Sequence, residues 1–131
     1  MSAEQKKLES SYKEIAVSFL QLVAAGKVRT AYEQYISANF THHNPYFCGD
    51  APSLMHAMEE SSASAPNKKF EIKRMIAEGE IVAVHSHVQQ DSEDIGGAVV
   101  HIFCFDGEQI VELWDIGQAI PKDSPNEYGM F

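Results

Sequence analysis

Asp115 stands in the run IVELWDIGQAI, from Ile110 to Ile120, among the β-branched and aromatic residues of a buried strand. An ionised carboxylate in such a place costs several kcal/mol unless something compensates it. Two arrangements would do so: an ion pair or backbone-amide hydrogen bond at a strand edge, or a cavity in which the carboxylate works as an acid/base. Histidines are available for the second. His85 and His87 stand two apart in IVAVHSHVQQ, His101 lies in AVVHIFCF, and His42 and His43 precede Asn44 in THHNPY. A histidine pair two apart on a strand, with a third histidine and a carboxylate, also has the make-up of a divalent-metal site, though such spacing without a fixed register is a weak signal. Plainer roles exist for each residue: a solvated His87 near a strand end, a half-buried and satisfied His101, and an exposed turn at His42 and His43, where Asn44 bonds its own backbone ahead of Pro45.

Side chains alternate along a strand, so Val111, Leu113, Asp115 and Gly117 share one side and Glu112, Trp114 and Ile116 the other. By the same rule Ala83, His85 and His87 lie together, opposite Val82, Val84 and Ser86, and His101 goes with Phe103 and Phe105. Three histidines and the aspartate converge on one face if the strand register brings them there.

The elements that must position these residues are legible in outline. From Ser11 the apolar residues Tyr12, Ile15, Phe19, Leu22 and Val23 recur at helical spacing, with Gly26 as the C-terminal stop. Val28, Ala31, Tyr32 and Tyr35 repeat the pattern and predict a second helix turning back on the first. ISANFTHHNPYFCGDAP loses the period and carries turn chemistry, which predicts a polar loop. Asp50 can cap a third helix from about Pro52 to Glu60. Four strands follow, FEIKRMI, IVAVHSHVQQ, AVVHIFCF and QIVELWDIGQAI, the last two joined by an Asp-Gly hairpin at Asp106 and Gly107. Helices first and a meander of strands afterwards predict an α+β domain with the helices on one face of an antiparallel sheet.

Composition limits the partners. A chain of 131 residues makes one domain, here 1–131, with a core of its own. Ten Lys and Arg against 19 Asp and Glu give a net charge of -9, which repels nucleic acid and anionic lipid surfaces. Cys48 and Cys104 lack the spacing of a metal knuckle or redox pair and read as reduced thiols of a cytoplasmic protein. No segment approaches the roughly 18 apolar residues of a membrane span, and MSAEQKKLESSYKE has no apolar run behind its lysines, so a cytoplasmic location is the expectation.

THHNPY after a helical hairpin, IAEGEIVAVHSHV in the middle, and HIFCFDGEQIVELWDIGQAIP before a Tyr-Gly-Met-Phe end together resemble the SnoaL-like family of polyketide cyclases. That family belongs to the nuclear transport factor 2-like superfamily, with ketosteroid isomerase and limonene epoxide hydrolase. The resemblance runs from about Tyr12 to Phe131. It implies a cone: a strongly curved antiparallel sheet wrapped around three N-terminal helices, enclosing an internal apolar pocket open at one end. In the cyclases an acidic residue of the last strands serves as acid/base for an aldol closure, and that position matches Asp115. His43 and Asn44 would lie at the pocket mouth and His85 on its wall. The chain departs from the pattern at His101, where members often carry an acidic residue, and at Leu113, where a histidine often precedes Trp-Asp.

The reading that results is an enzyme without cofactor or metal, enolising an apolar carbonyl compound in cyclisation or isomerisation. Asp115 would be the base, made stronger by desolvation; His85 or His101 would polarise the carbonyl, and His43 would assist at the mouth. Asn44, Tyr46, Met55, Phe103, Leu113 and Trp114 are the expected ligand contacts. Hydrolysis of an epoxide is the second enzymatic reading and needs more carboxylates than can be placed here. From another class comes a binding module that sequesters an apolar small molecule or pairs through the outer sheet face of Glu112, Trp114 and Ile116. In either class a homodimer through the sheet is expected.

Overall fold

Ser2, extended and accepting the Gln5 amide on its hydroxyl, caps helix α1 (Ala3–Ala24) in the computed structural model, which describes residues 2–131. The helix thus begins eight residues before the expected Ser11. A cap and the strong helix formers Glu4, Gln5, Lys6, Lys7 and Leu8 extend it where no apolar stripe announces it. Its buried face carries Tyr12, Ala16, Phe19 and Leu20, and Glu9 accepts the Gly79 amide at 2.7 Å. Helix α2 (Val28–Tyr35) turns back as the spacing predicts. Helix α3 (Ala51–Ser64) starts at Asp50, whose carboxylate accepts the Ser53 amide at 2.8 Å, and runs four residues past Glu60.

The strands are β1 (Ile36–His42), β2 (Lys69–Glu78), β3 (Ile81–Gln89), β4 (Gly97–Asp106) and β5 (Gln109–Ala119), in the order β1-β5-β4-β3-β2. The last four are the predicted meander, and the Asp-Gly hairpin joins β4 to β5. β1 corrects the sequence reading: it lies in the segment expected to be a loop and runs parallel to β5, so the sheet is mixed and open. Ser37, Ala38 and Asn39 are poor strand formers, and the β1–β5 register breaks between Ile36 and Thr41. The strand therefore depends on its neighbour, a contact that local propensity does not encode.

A bulge at Val111, between the Phe105–Ile110 and Cys104–Glu112 pairs, re-phases β5. Ile110, and not Val111 as alternation alone would have it, joins Leu113 inside. With the helices, the inner face builds the core: Phe103, Phe105, Ile110, Leu113, Val82 and Val84 are fully buried, Tyr12 stacks on Phe105 at 4.5 Å, and Phe19 meets Phe103 edge-on at 5.9 Å. Each such side chain contributes roughly 1.5–3 kcal/mol over its exposed state. Among the described residues no helix is long and apolar enough to cross a membrane. The C-terminal segment returns over the outer face, where the Phe131 ring lies 5.4 Å from His85 and 4.8 Å from His87, below the Lys73 ammonium.

Candidate active site

Asp115 faces the helices, beside His101, its partner across β4 and β5. Its side chain is 23% exposed, so it is neither solvated nor sealed. Asn44 Nδ2 donates to its Oδ2 at 3.1 Å, and His101 Nε2 stands 3.8 Å from Oδ1, too far for a hydrogen bond. One carboxylate oxygen is therefore clamped, and the other takes no hydrogen bond from the described residues.

The clamp rests on a buried histidine. His42 Nδ1 accepts the Asn44 amide at 3.1 Å, so its proton must sit on Nε2, which donates to the Cys48 carbonyl at 2.6 Å. Asn44 Oδ1 in turn accepts the Tyr46 amide at 3.0 Å, ahead of which Pro45 fixes the turn. The expected self-bonded turn is present, and its amide nitrogen is spent on Asp115.

His101 is 8% exposed, between Phe70 and Phe103, and among the described residues its Nδ1 has no partner. Burial pushes its pKa below the ordinary 6.5 and the nearby Asp115 charge pulls the other way; burial wins. At neutral pH the ring is an uncharged imidazole, and the carboxylate favours the tautomer with its proton on Nε2, facing the open oxygen. Behind the pair, burial holds the Tyr32 phenol protonated, with the Asp115 charge adding to the effect, and its hydroxyl donates to Met58 Sδ at 3.3 Å.

Asp115, His101 and Asn44 open into a cavity of about 320 Å³ between the sheet and helices α1 and α3. Its apolar wall comes from Leu20, Val23, Leu54, Met58, Phe70 and Val99, with Ser61 and Lys68 also lining it. This volume is at the small end for ligand sites, roughly 300–1,000 Å³. Burial lowers the Lys68 ammonium below the ordinary lysine value, and it donates to Ser61 Oγ.

Several expected site residues lie elsewhere. His85 is on the outer face: Val84, not His85, pairs with His101, and His85 Nδ1 accepts from Arg74. His87 shares that face, so the three strand histidines do not converge. Among the described residues no three metal-ligating side chains gather. His43 is also outside, stacked on Trp114 at 4.8 Å and donating to Glu112 at 2.6 Å. Its backbone follows β5 through the Leu113 carbonyl, which turns the ring away from the mouth. Trp114 is thus an outer-face residue, and Tyr46 is 85% exposed beyond the turn. Phe103 and Leu113 are core residues, and Met55 packs against that core while Met58, one helical turn on, lines the cavity. Lys68 and Ser61 were not anticipated; they converge only when the turn after α3 is built.

A SnoaL-like domain model matches residues 16–113, most of the chain, ending two residues before Asp115. No curated protein matches the sequence. Among solved structures, AclR of Streptomyces galilaeus, provisionally assigned as a hydroxylase, superposes with TM-score 0.72 at 17% identity, over 85% of this chain and 81% of that one. A protein of Acidithiobacillus ferrooxidans, provisionally assigned as a polyketide cyclase, gives 0.69 at 20% identity, over 90% of this chain and 92% of that one. An NTF2-like protein of unknown function from Cytophaga hutchinsonii gives 0.66 at 16%, over 82% of this chain and 89% of that one. At such identities the likeness is one of fold, and activity does not follow from it. With the domain match spanning most of the chain and helices and sheet arranged as in these structures, this protein belongs to the SnoaL-like domain family, on the nuclear transport factor 2-like fold.

Proposed function

We propose that this protein enolises an apolar carbonyl compound in the cavity, using Asp115 as the base and His101 as the group that stabilises the enolate, as a cyclisation or isomerisation requires. The observation that carries the reading is the divided environment of Asp115: Oδ2 is held by Asn44 while Oδ1, opposite His101 Nε2, has no donor among the described residues. A C–H next to a carbonyl, lying against Oδ1, would pass its proton to the carboxylate. The oxygen of the same carbonyl would then accept a hydrogen bond from Nε2 as its charge grows. A neutral imidazole suits this role because it donates without carrying a charge that must be desolvated. His85 and His43 have no part in it, since both face away.

Incubation with a bicyclic ketone such as 2-tetralone in D₂O reads the first step without requiring the natural substrate. Wild type is expected to speed α-deuteration, and Asp115→Asn to lose it by roughly 10²–10⁴-fold, the range for a positioned base. Deuteration at wild-type rate in Asp115→Asn would end this mechanism, and unchanged ligand affinity with no exchange in either form would leave a binding module. The pairing expected for the chain would use the outer face, where Ile116 stays exposed beside Trp114 on β5 and Ile76 stays exposed on β2, across the sheet. Sedimentation at micromolar concentration should show a dimer, and a monomer would remove that part of the proposal.

A further inference from the structure

The cavity has a second polar end. Asp115 enters it from β5 and Lys68 from the turn that leads into β2, the opposite side of the β5-β4-β3-β2 array. The register fixes the offset: Lys68 is two residues before Phe70, Phe70 pairs with Val88, Val88 with Gly97, and Gly97 is four residues along β4 from His101, the partner of Asp115. The two charged groups therefore occupy different corners, with Val88, Val99 and Phe70 lying between them.

Among the described residues Lys68 is the one Lys or Arg in the cavity lining, and no carboxylate pairs with it. Its backbone is pinned, because the Lys68 amide donates to the Ala65 carbonyl at 3.2 Å just past the end of α3. Its ammonium uses one of three donors on Ser61 Oγ, which leaves two for a ligand. Burial already disfavours the bare cation, a cost that an anionic ligand group would relieve. In a chain of net charge -9, nothing at long range attracts an anion, so such a group would be recognised only at this contact.

We infer that the ligand of this cavity is a carboxylate-bearing compound, its acid group held by Lys68 and Ser61 and its apolar body lying on Phe70 and Val99 toward Asp115. This deepens the enolisation reading, which it takes as its base, by making the substrate class a compact keto acid: one end anchored, the carbonyl delivered to the far corner. The anchor also gives orientation, which an apolar wall by itself does not supply.

The test uses two probes of nearly equal shape, 2-naphthoate and the neutral 2-naphthamide, titrated into the full chain by calorimetry. Wild type should bind the carboxylate about ten- to a hundredfold tighter, the span of one charge-assisted contact. Lys68→Met should abolish that preference while keeping naphthamide affinity, Lys68→Arg should restore most of it, and Asp115→Asn should leave it in place. Equal affinities in wild type, a preference that survives Lys68→Met, or a cavity that takes up neither probe would each overturn the inference. A Lys68 that serves only to close the α3 terminus would lower the melting temperature of Lys68→Met without moving the ratio, and that too overturns it. The two readings fail separately: absent ketone deuteration with an intact Lys68-dependent preference removes enolisation and keeps the anion site, and the reverse removes only the site.

Discussion

Replacing His101 by leucine, of similar volume and without polar atoms, should make the protein more stable and less active at once. Nδ1 is buried without a partner, and a buried unsatisfied group costs about 1–3 kcal/mol. Part of that is returned by Nε2 facing Asp115 at 3.8 Å, so a net gain of about 1 kcal/mol is expected near pH 7.5. The gain should grow as pH falls. Burial sets the folded-state pKa of His101 below the 6.5 of an ordinary histidine. Between that ordinary value and the lower one the unfolded chain holds the proton and the folded chain does not. Protonation then favours unfolding, so wild type loses stability relative to His101→Leu as pH drops from above 6.5 through the window. One proton gives a slope of at most about 1.4 kcal/mol per pH unit. Urea unfolding of wild type and His101→Leu at pH 7.5, 6.5 and 5.5 reads the difference, roughly, in the window that linkage selects. The outer His43–Glu112 pair is common to both forms and cancels. A difference that is flat with pH, or that shrinks on acidification, would mean His101 is hydrated or charged in the folded state. Ketone deuteration should meanwhile fall, because the donor to the enolate is gone.

Two further substitutions test the surroundings. His42→Ala removes a buried ring and both of its hydrogen bonds, and should cost about 2–4 kcal/mol in urea while slowing ketone deuteration, because Asn44 loses the support of its amide; wild-type stability would show that the loop does not depend on this ring. Ser86→Ala deletes a buried hydroxyl that has no partner and should be neutral or stabilising by up to about 1 kcal/mol, and a clear loss in the same assay would reveal a partner for Oγ.

The helices and the four-strand meander were legible because their signals are local: an apolar stripe closed by Gly26, an Asp50 cap, an Asp-Gly hairpin. β1 was not, since only Phe40 and His42 are buried in it and its pairing comes from β5, more than sixty residues away. The site divides in the same way. Asp115 could be singled out by its apolar company, and Asn44 by the turn it makes. Lys68 and Ser61 carry no such mark, because a lysine after a helix is ordinarily solvated.

Which histidine reaches Asp115 was decided by parity. Val84 opposite His101 puts even-numbered β3 residues and odd-numbered β4 residues on the inner face, so a slip of one residue would bring His85 inward and turn the opposite set out. The turn between these strands pins that parity. Asp94 accepts the amides of Gln90 and Gly96, Gln89 donates to the Asp94 carbonyl, and His87 donates to the carbonyl of Ile95. Gly96 has φ 80°, and a Cβ there would lie 2.1 Å from the Val88 carbonyl oxygen, so no other residue closes the turn at this length. His87 thus serves the site from the outer face: bonded to the turn, it helps hold the register that places His101, and not His85, beside the carboxylate.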